Sequence, residues 1–372
     1  MPEQIELHSD AVHFDKAVAR TIEHLRRGSI VLLPTETVYG LAVLASNEAA
    51  VKKLVDLKGR RPEQPFPVAI GSVDSLLDDV PEVGGLALRF ARRCWPGSVS
   101  LVLDISDPLS RIHLLPEYVK TWIVRDNAVC FRVPNRPIAL AVLQELNEPV
   151  ILTSANETGE APIQTVAEAA EVFGDRLDLM IDDGPAQANV PSTVVKVDAS
   201  NYTILREGVV RRETIDRLSA KMILFVCTGN TCRSPLGEKI CEQVLSGRLG
   251  CRIDQLEEKG YVVMSAGIAA GTDVPASTGT RESLRDRGLD ASDHASQLLN
   301  EMHVKYADII FAMTRTHREA ILSSWPSADT RLFVLRTDGG DIADPIGGNF
   351  QVYEDCARSI EQEIRKRIDE IV

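Results

Sequence analysis

The sequence has no stretch able to cross a bilayer as a helix. The apolar run from Ser29 to Ser46 is broken by Pro34, Thr35, Glu36 and Thr37, and a span needs about 20 residues without such a break. Metal-ligand spacing is missing too. The seven cysteines (Cys94, Cys130, Cys227, Cys232, Cys241, Cys251 and Cys356) form no Cys-x-x-Cys pair and no Cys/His zinc pattern. A scattered, odd-numbered set points to a reducing compartment and not to a disulfide framework. Basic excess is absent: 41 Lys and Arg stand against 54 Asp and Glu, for a net charge of −13. That excludes a general, non-specific grip on nucleic acid, while leaving room for a local basic patch. The N-terminal MPEQIELHSD has no basic region followed by an apolar one, so no secretory signal is expected and the expected location is cytoplasmic. No repeat and no low-complexity tract is present. With 372 residues, two domains are the natural expectation.

The most informative stretch present is ILFVCTGNTCRSP, from Ile223 to Pro235. Met222 to Val226 reads as a buried strand of a parallel sheet, ending at Cys227, and Pro235 stands near the start of a helix. Between them lie Thr228, Gly229, Asn230, Thr231, Cys232, Arg233 and Ser234. A loop between a strand and a helix N-terminus can direct several backbone N–H groups at one anion. Gly229 is expected to let the chain turn without a Cβ clash. Arg233 can grip two phosphoryl oxygens with its fork, and the local field favours Cys227 as a thiolate nucleophile. A thiolate attacking phosphorus needs an acid for the leaving group. Asp344, in DIADPIGG, is the candidate, with Asp341 as its rival.

Strand and helix patterns alternate along the whole chain, predicting an α/β protein. Residues 1–210 read as a domain with a mixed twisted sheet, residues 211–221 as a charged linker, and residues 222–372 as a doubly wound four-stranded parallel sheet with its ligand site at the strand carboxyl ends. In the first domain the periodicity predicts helices over 14–27, from the Asn47 cap to Leu57, over 86–94, from Pro137 to Leu146 and over 166–173. Strands are predicted at 30–33, 67–70, 98–103, 149–153 and 203–205, and the segment 104–127 reads as polar and proline-punctuated. The second domain is predicted to close with one helix over 352–371.

CTGNTCRSP, the SAG at Ser265–Gly267, the AMT at Ala312–Thr314 and Asp344–Pro345 occur in order. Together they resemble the low-molecular-weight protein tyrosine phosphatases over residues 222–372. The resemblance implies Cys227 as nucleophile, Arg233 as phosphate clamp, Asn230 and Ser234 as loop supports and Asp344 as general acid. It also implies a phosphocysteine intermediate and no metal. Thr231 stands where a bulky aliphatic residue is usual, and Ile346, Gly347 and Gly348 follow the Asp-Pro where aromatics are usual. Aromatic walls suit a phenyl ring, whereas a small hydroxyl suits a planar guanidinium, so the protein-arginine phosphatase branch is preferred over phosphotyrosine. The related arsenate reductases need resolving cysteines downstream, and after Cys251 only Cys356 remains.

In the first domain PTETVYGLA, Lys58-Gly59-Arg60, FRVPNRP, TSAN, PSTVV and LREG follow one another. Taken singly, such residues are solvated cations and turn-capping hydroxyls. As a set they resemble the threonylcarbamoyl-AMP synthase family over about residues 12–210. The resemblance implies condensation of L-threonine, bicarbonate and ATP, with Mg2+ on the triphosphate. The product would serve tRNA modification, with tRNA only an indirect partner. Lys58, Arg60, Asn156 and Arg206 would hold ATP, and Thr35, Arg132, Ser154 and Ser192 would touch threonine or its carbamate. Three positions depart from the family pattern: Arg61 replaces a usual Pro, Gln64 a usual Asn, and Ala69 a usual His. The alternative is a nucleotide- or RNA-binding scaffold that regulates the phosphatase.

Overall fold

The structure, a computed structural model, describes residues 2–7, 11–188 and 190–372. The chain divides into two compact units between Leu218 and Ser219. No helix among the described residues is long and apolar enough to cross a membrane.

The first unit is built on one mixed sheet. Its strands are β1 (Glu3–Glu6), β2 (Val31–Leu33), β3 (Gly40–Leu44), β4 (Val68–Ala69), β5 (Val99–Asp104), β6 (Val124–Arg125), β7 (Ala128–Arg132), β8 (Val150–Ser154), β9 (Leu179–Asp182), β10 (Thr193–Val197) and β11 (Tyr202–Arg206). They lie in the order β1-β9-β2-β3-β8-β4-β7-β5-β10-β11, with β6 on β7. Parallel pairs (β2 with β9, β5 with β10) alternate with antiparallel ones (β3 with β8, β5 with β7). Both faces are covered, which explains why β2 and β3 are apolar at every position. Leu32, Leu41 and Val43 join the core on one face, while Val31, Leu33, Ala42 and Leu44 join the core on the other. The helix Ala11–Arg26 buries Val18, Ile22 and Leu25 in that second core. Asn47 caps its helix as expected, accepting from Ala50 N at 3.0 Å.

Some elements depart from the sequence pattern. The segment 104–127 holds a helix, Glu117–Ile123, that starts after Pro116 and buries Val119, Trp122 and Ile123. Proline stops a helix from within but opens one readily. The strands β1 and β9 are four residues each, too short for a period to show. Residues 211–221, expected as linker, carry the helix Arg212–Ser219, whose Ile215 is buried in the first unit's core.

The second unit has four parallel strands, β12 (Lys221–Cys227), β13 (Tyr261–Gly267), β14 (Ile309–Ala312) and β15 (Leu332–Val334), in the order β13-β12-β14-β15. Leu224 and Val226 face one core, Ile223 and Phe225 the other. Cys227 is the last residue of the central strand, so its side chain emerges at the carboxyl edge where doubly wound sheets bind ligands. The closing helix is Phe350–Lys366 and breaks at Arg367 before a last turn, Ile368–Ile371.

Candidate functional site

The loop after β12 runs from Cys227 into the helix that begins at Arg233. Among the described residues, no acceptor takes the backbone N–H groups of residues 228–232, a row of free donors that an anion would satisfy. Asn230 turns the loop with φ of +54°, a conformation asparagine tolerates better than most residues. Its side chain is fully buried. Nδ2 donates to Ser234 Oγ (3.0 Å) and Ser265 Oγ (2.9 Å), Oδ1 accepts from Gln297 N (2.9 Å), and its carbonyl lies 2.7 Å from His294 Nε2. Ser234 Oγ sits 2.9 Å from Cys227 Sγ. Cys232 is buried, its sulfur facing the hydroxyls of Ser277 and Tyr353.

Gly229 is not the residue that sterics demand: a Cβ there would meet only Thr231 Oγ1, at 3.7 Å. The demand falls on Gly267, at the end of β13. A Cβ at Gly267 would stand 2.5 Å from Thr228 O and 2.9 Å from Asn230 N, so the neighbouring strand must be bare for the loop to lie against it.

Arg233 enters from the first turn of the helix Arg233–Leu249. It is 6% exposed, and its Nε is buried with no hydrogen-bond partner. Its Nη2 donates to Asp344 Oδ2 at 2.5 Å. The structure separates the two candidate acids. Asp341 accepts from the backbone and side chain of Arg315, and those bonds hold its carboxyl below the usual carboxylate range. Asp344 is exposed and reaches the centre of the loop through Arg233.

In the first unit a cavity of about 110 Å³ is lined by Arg60, Arg132, Ser154, Ser192 and Arg206, all predicted, and by Thr37, Ala69 and Ser100 among others. Arg60 lies over the Phe66 ring and donates to Gln64 O and Pro65 O; Arg206 donates to Ser192 O. Neither has a carboxylate partner among the described residues. Burial pulls both guanidinium groups below their ordinary range, and the charge of Arg206 adds to the effect on Arg60. Two cations without a carboxylate partner at one cavity, Arg60 half-buried and Arg206 exposed, favour an anionic occupant. Arg132 is different, because Glu36 neutralises it at 2.7 Å.

Three expected ligand residues do not line this cavity. Thr35 spends its hydroxyl inside its own turn, donating to Val38 O at 2.6 Å and accepting from Thr37 N. Thr37, which sequence reasoning passed over, faces the cavity instead and accepts from Arg132 Nη2. Lys58, expected as an exposed cation, is 2% exposed. Its Nζ donates to Ser154 O (2.7 Å), Asn156 O (2.5 Å) and Asn156 Oδ1 (3.0 Å). Lys58 and Asn156 thus hold each other and fix the loop that presents Ser154.

A family model described as Telomere recombination, for Sua5, YciO and YrdC, matches residues 23–208; one described as Low molecular weight phosphotyrosine protein phosphatase matches residues 222–372. The chain is 34% identical over 203 residues to a threonylcarbamoyl-AMP synthase of Bacillus subtilis, covering 54% of this chain and 56% of that protein. It therefore spans little more than half the length of that relative. It is 38% identical over 154 residues to a protein-arginine-phosphatase of Geobacillus stearothermophilus, covering 40% of this chain and 92% of the relative. The solved structure of Pyrococcus abyssi Sua5 complexed with L-threonine aligns at a TM-score of 0.51 and 21% identity, over 72% of this chain and 92% of that one, a likeness of fold. The chain belongs to the Sua5/YciO/YrdC family through its first unit and to the low molecular weight phosphotyrosine protein phosphatase family through its second.

Proposed function

We propose that this is a bifunctional cytoplasmic enzyme, with a synthase over residues 1–210 and a phosphatase over 222–372. The phosphatase removes phosphoryl groups from protein, phosphoarginine in preference to phosphotyrosine. The observation that carries this reading is the row of unmatched N–H groups around Cys227, with the orphaned, buried Nε of Arg233 beside it. A phosphoryl group held there has its oxygens on the N–H groups and the Arg233 fork, and phosphorus in line with Cys227 Sγ. Sulfur attacks, the bond to the leaving group breaks, and Asp344 gives its proton to the departing atom. Water, deprotonated by Asp344, then cleaves the phosphocysteine. The anion must first displace Asp344 from Arg233. Thr231 and the Ile346-Gly347-Gly348 run leave no aromatic directly after the Asp-Pro, which supports the guanidinium preference. Arsenate reduction is disfavoured because burial pushes the Cys356 thiol up to about 12, which makes it a poor resolving thiolate. Turnover of phosphoarginine against phosphotyrosine peptides by the full chain tests the preference. A higher kcat/KM for phosphotyrosine would reverse it.

Asp344→Asn provides a second test. The loss should be about tenfold for p-nitrophenyl phosphate and about a hundredfold for a basic leaving group, because acid assistance matters most there. Equal losses across a leaving-group series would remove Asp344 from the acid role.

For the first unit the proposed reaction is formation of L-threonylcarbamoyladenylate from L-threonine, bicarbonate and ATP, feeding tRNA modification. The uncompensated Arg60 and Arg206 at the cavity support it as the place where phosphates sit. The described lining residues include hydroxyls and guanidinium groups but no carboxylate, so Mg2+ would be held on phosphate oxygens and not by the protein. Pyrophosphate release that requires both threonine and bicarbonate is the test. Nucleotide binding without release would favour the scaffold reading.

A further inference from the structure

His317 is 4% exposed, far from the nucleophile in sequence, and belongs to no part of the phosphate loop. Yet its Nε2 lies 2.8 Å from Thr228 Oγ1, the side chain immediately after Cys227. Its Nδ1 lies 2.9 Å from Thr314 Oγ1, and Thr314 also caps the helix Arg315–Ser324 by accepting from His317 N at 3.2 Å. The ring is therefore clamped at both nitrogens. The same short segment anchors the acid loop: Met313 O accepts from Ile342 N (2.9 Å), and Arg315 N donates to Asp341 Oδ1 (2.9 Å). Residues 313–317 thus form a common footing for the loop that holds the nucleophile and the loop that holds the acid.

We propose that His317 is a positioning residue of the phosphatase, acting through Thr228 to hold the first N–H of the anion loop in register with Cys227 and with the acid loop. This rests on the phosphatase reading of the Cys227 loop. Without the imidazole, no other side chain among the described residues holds the Thr228 hydroxyl from outside the loop, and its N–H is free to swing away from the anion. Burial, with the Arg233 charge adding to it, lowers the ring to about 4. The ring therefore keeps one donor and one acceptor nitrogen across the working range, which matches a hydroxyl on each side. A group whose misplacement shifts an oxyanion donor costs catalysis and ground-state anion binding together.

The experiment uses the full chain, with p-nitrophenyl phosphate turnover, inhibition by inorganic phosphate and the melting temperature measured together. His317→Ala should lower kcat/KM by about tenfold to a hundredfold and raise the phosphate inhibition constant about tenfold. Thr228→Val should reproduce both losses. The double variant should be no worse than either single one, because both changes cut the same link. His317→Gln, which keeps a donor and an acceptor, should recover part of the loss, and it keeps the test open if the alanine variant fails to fold. A purely structural histidine would lower the melting temperature while leaving the phosphate constant unchanged, and that result overturns the proposal. So do additive losses in the double variant. Absence of turnover in the unmodified chain would instead reject the underlying phosphatase reading.

Discussion

Cys227→Ser is expected to remove phosphatase turnover entirely while leaving phosphate and vanadate bound about as tightly as before. The two halves of that outcome come from different atoms. Binding is the work of the N–H row over residues 228–232 and of Arg233, none of which the substitution touches. Chemistry needs the sulfur nucleophile. A serine hydroxyl is a far weaker nucleophile at neutral pH, and among the described residues no histidine is hydrogen-bonded to the nucleophile to take its proton, since His317 is committed to Thr228 and Thr314. A loss of at least about ten-thousandfold in kcat is the scale for removing a nucleophile. Isothermal titration with vanadate and steady-state turnover on the same preparation check both halves. Residual turnover within tenfold of the unmodified protein would remove Cys227 from its role. Weakened binding in proportion to lost turnover would mean that sulfur, and not the loop, holds the anion.

The strand–loop–helix layout around Cys227 was legible in the sequence because its parts are local. A strand, a tight loop and a helix start fall within thirteen residues, and their spacing alone carries the geometry. What was not legible depends on partners distant in the chain. His317 lies 89 residues from Thr228, and nothing in AMTRTH points to that contact. Gly267, not Gly229, carries the close approach, since steric demand comes from a neighbouring strand that only the fold brings near. Thr35 and Thr37 are chemically alike and two residues apart, and only the turn between them decides which hydroxyl faces the cavity. The sequence predicts an exposed cation at Lys58 because lysine is almost always exposed. That inference fails where a helix end, here capped by Gly59 at φ of +56°, turns the side chain inward.

Lys58→Met is expected to damage the first unit twice, in stability and in activity. Methionine fills much the same volume but removes the Lys58 donor from all three acceptors; Ser154 O keeps Asn156 N and Asn156 Oδ1 keeps Ser154 Oγ, so Asn156 O is the one left without a donor among the described residues. An unsatisfied buried acceptor costs about 1–3 kcal/mol, so a drop of several degrees in the first unit's melting temperature is expected. ATP-dependent pyrophosphate release should fall at least about a hundredfold, because Ser154 and Asn156 shift when the loop between them relaxes. Arg60→Met separates the two effects: its guanidinium lies at the cavity over Phe66, so turnover should fall while the melting temperature holds. The pH dependence of the stability gap has a definite sign. Burial, reinforced by Arg60, pulls the Lys58 ammonium down to about 7 from 10.5. Between those values the unfolded chain binds the proton and the folded chain does not, so this group's contribution rises as pH climbs from about 7 towards 10. The melting-temperature difference between the unmodified protein and Lys58→Met should therefore widen over that window. If the variant melts and releases pyrophosphate like the unmodified protein, Lys58 neither holds the loop nor serves the site.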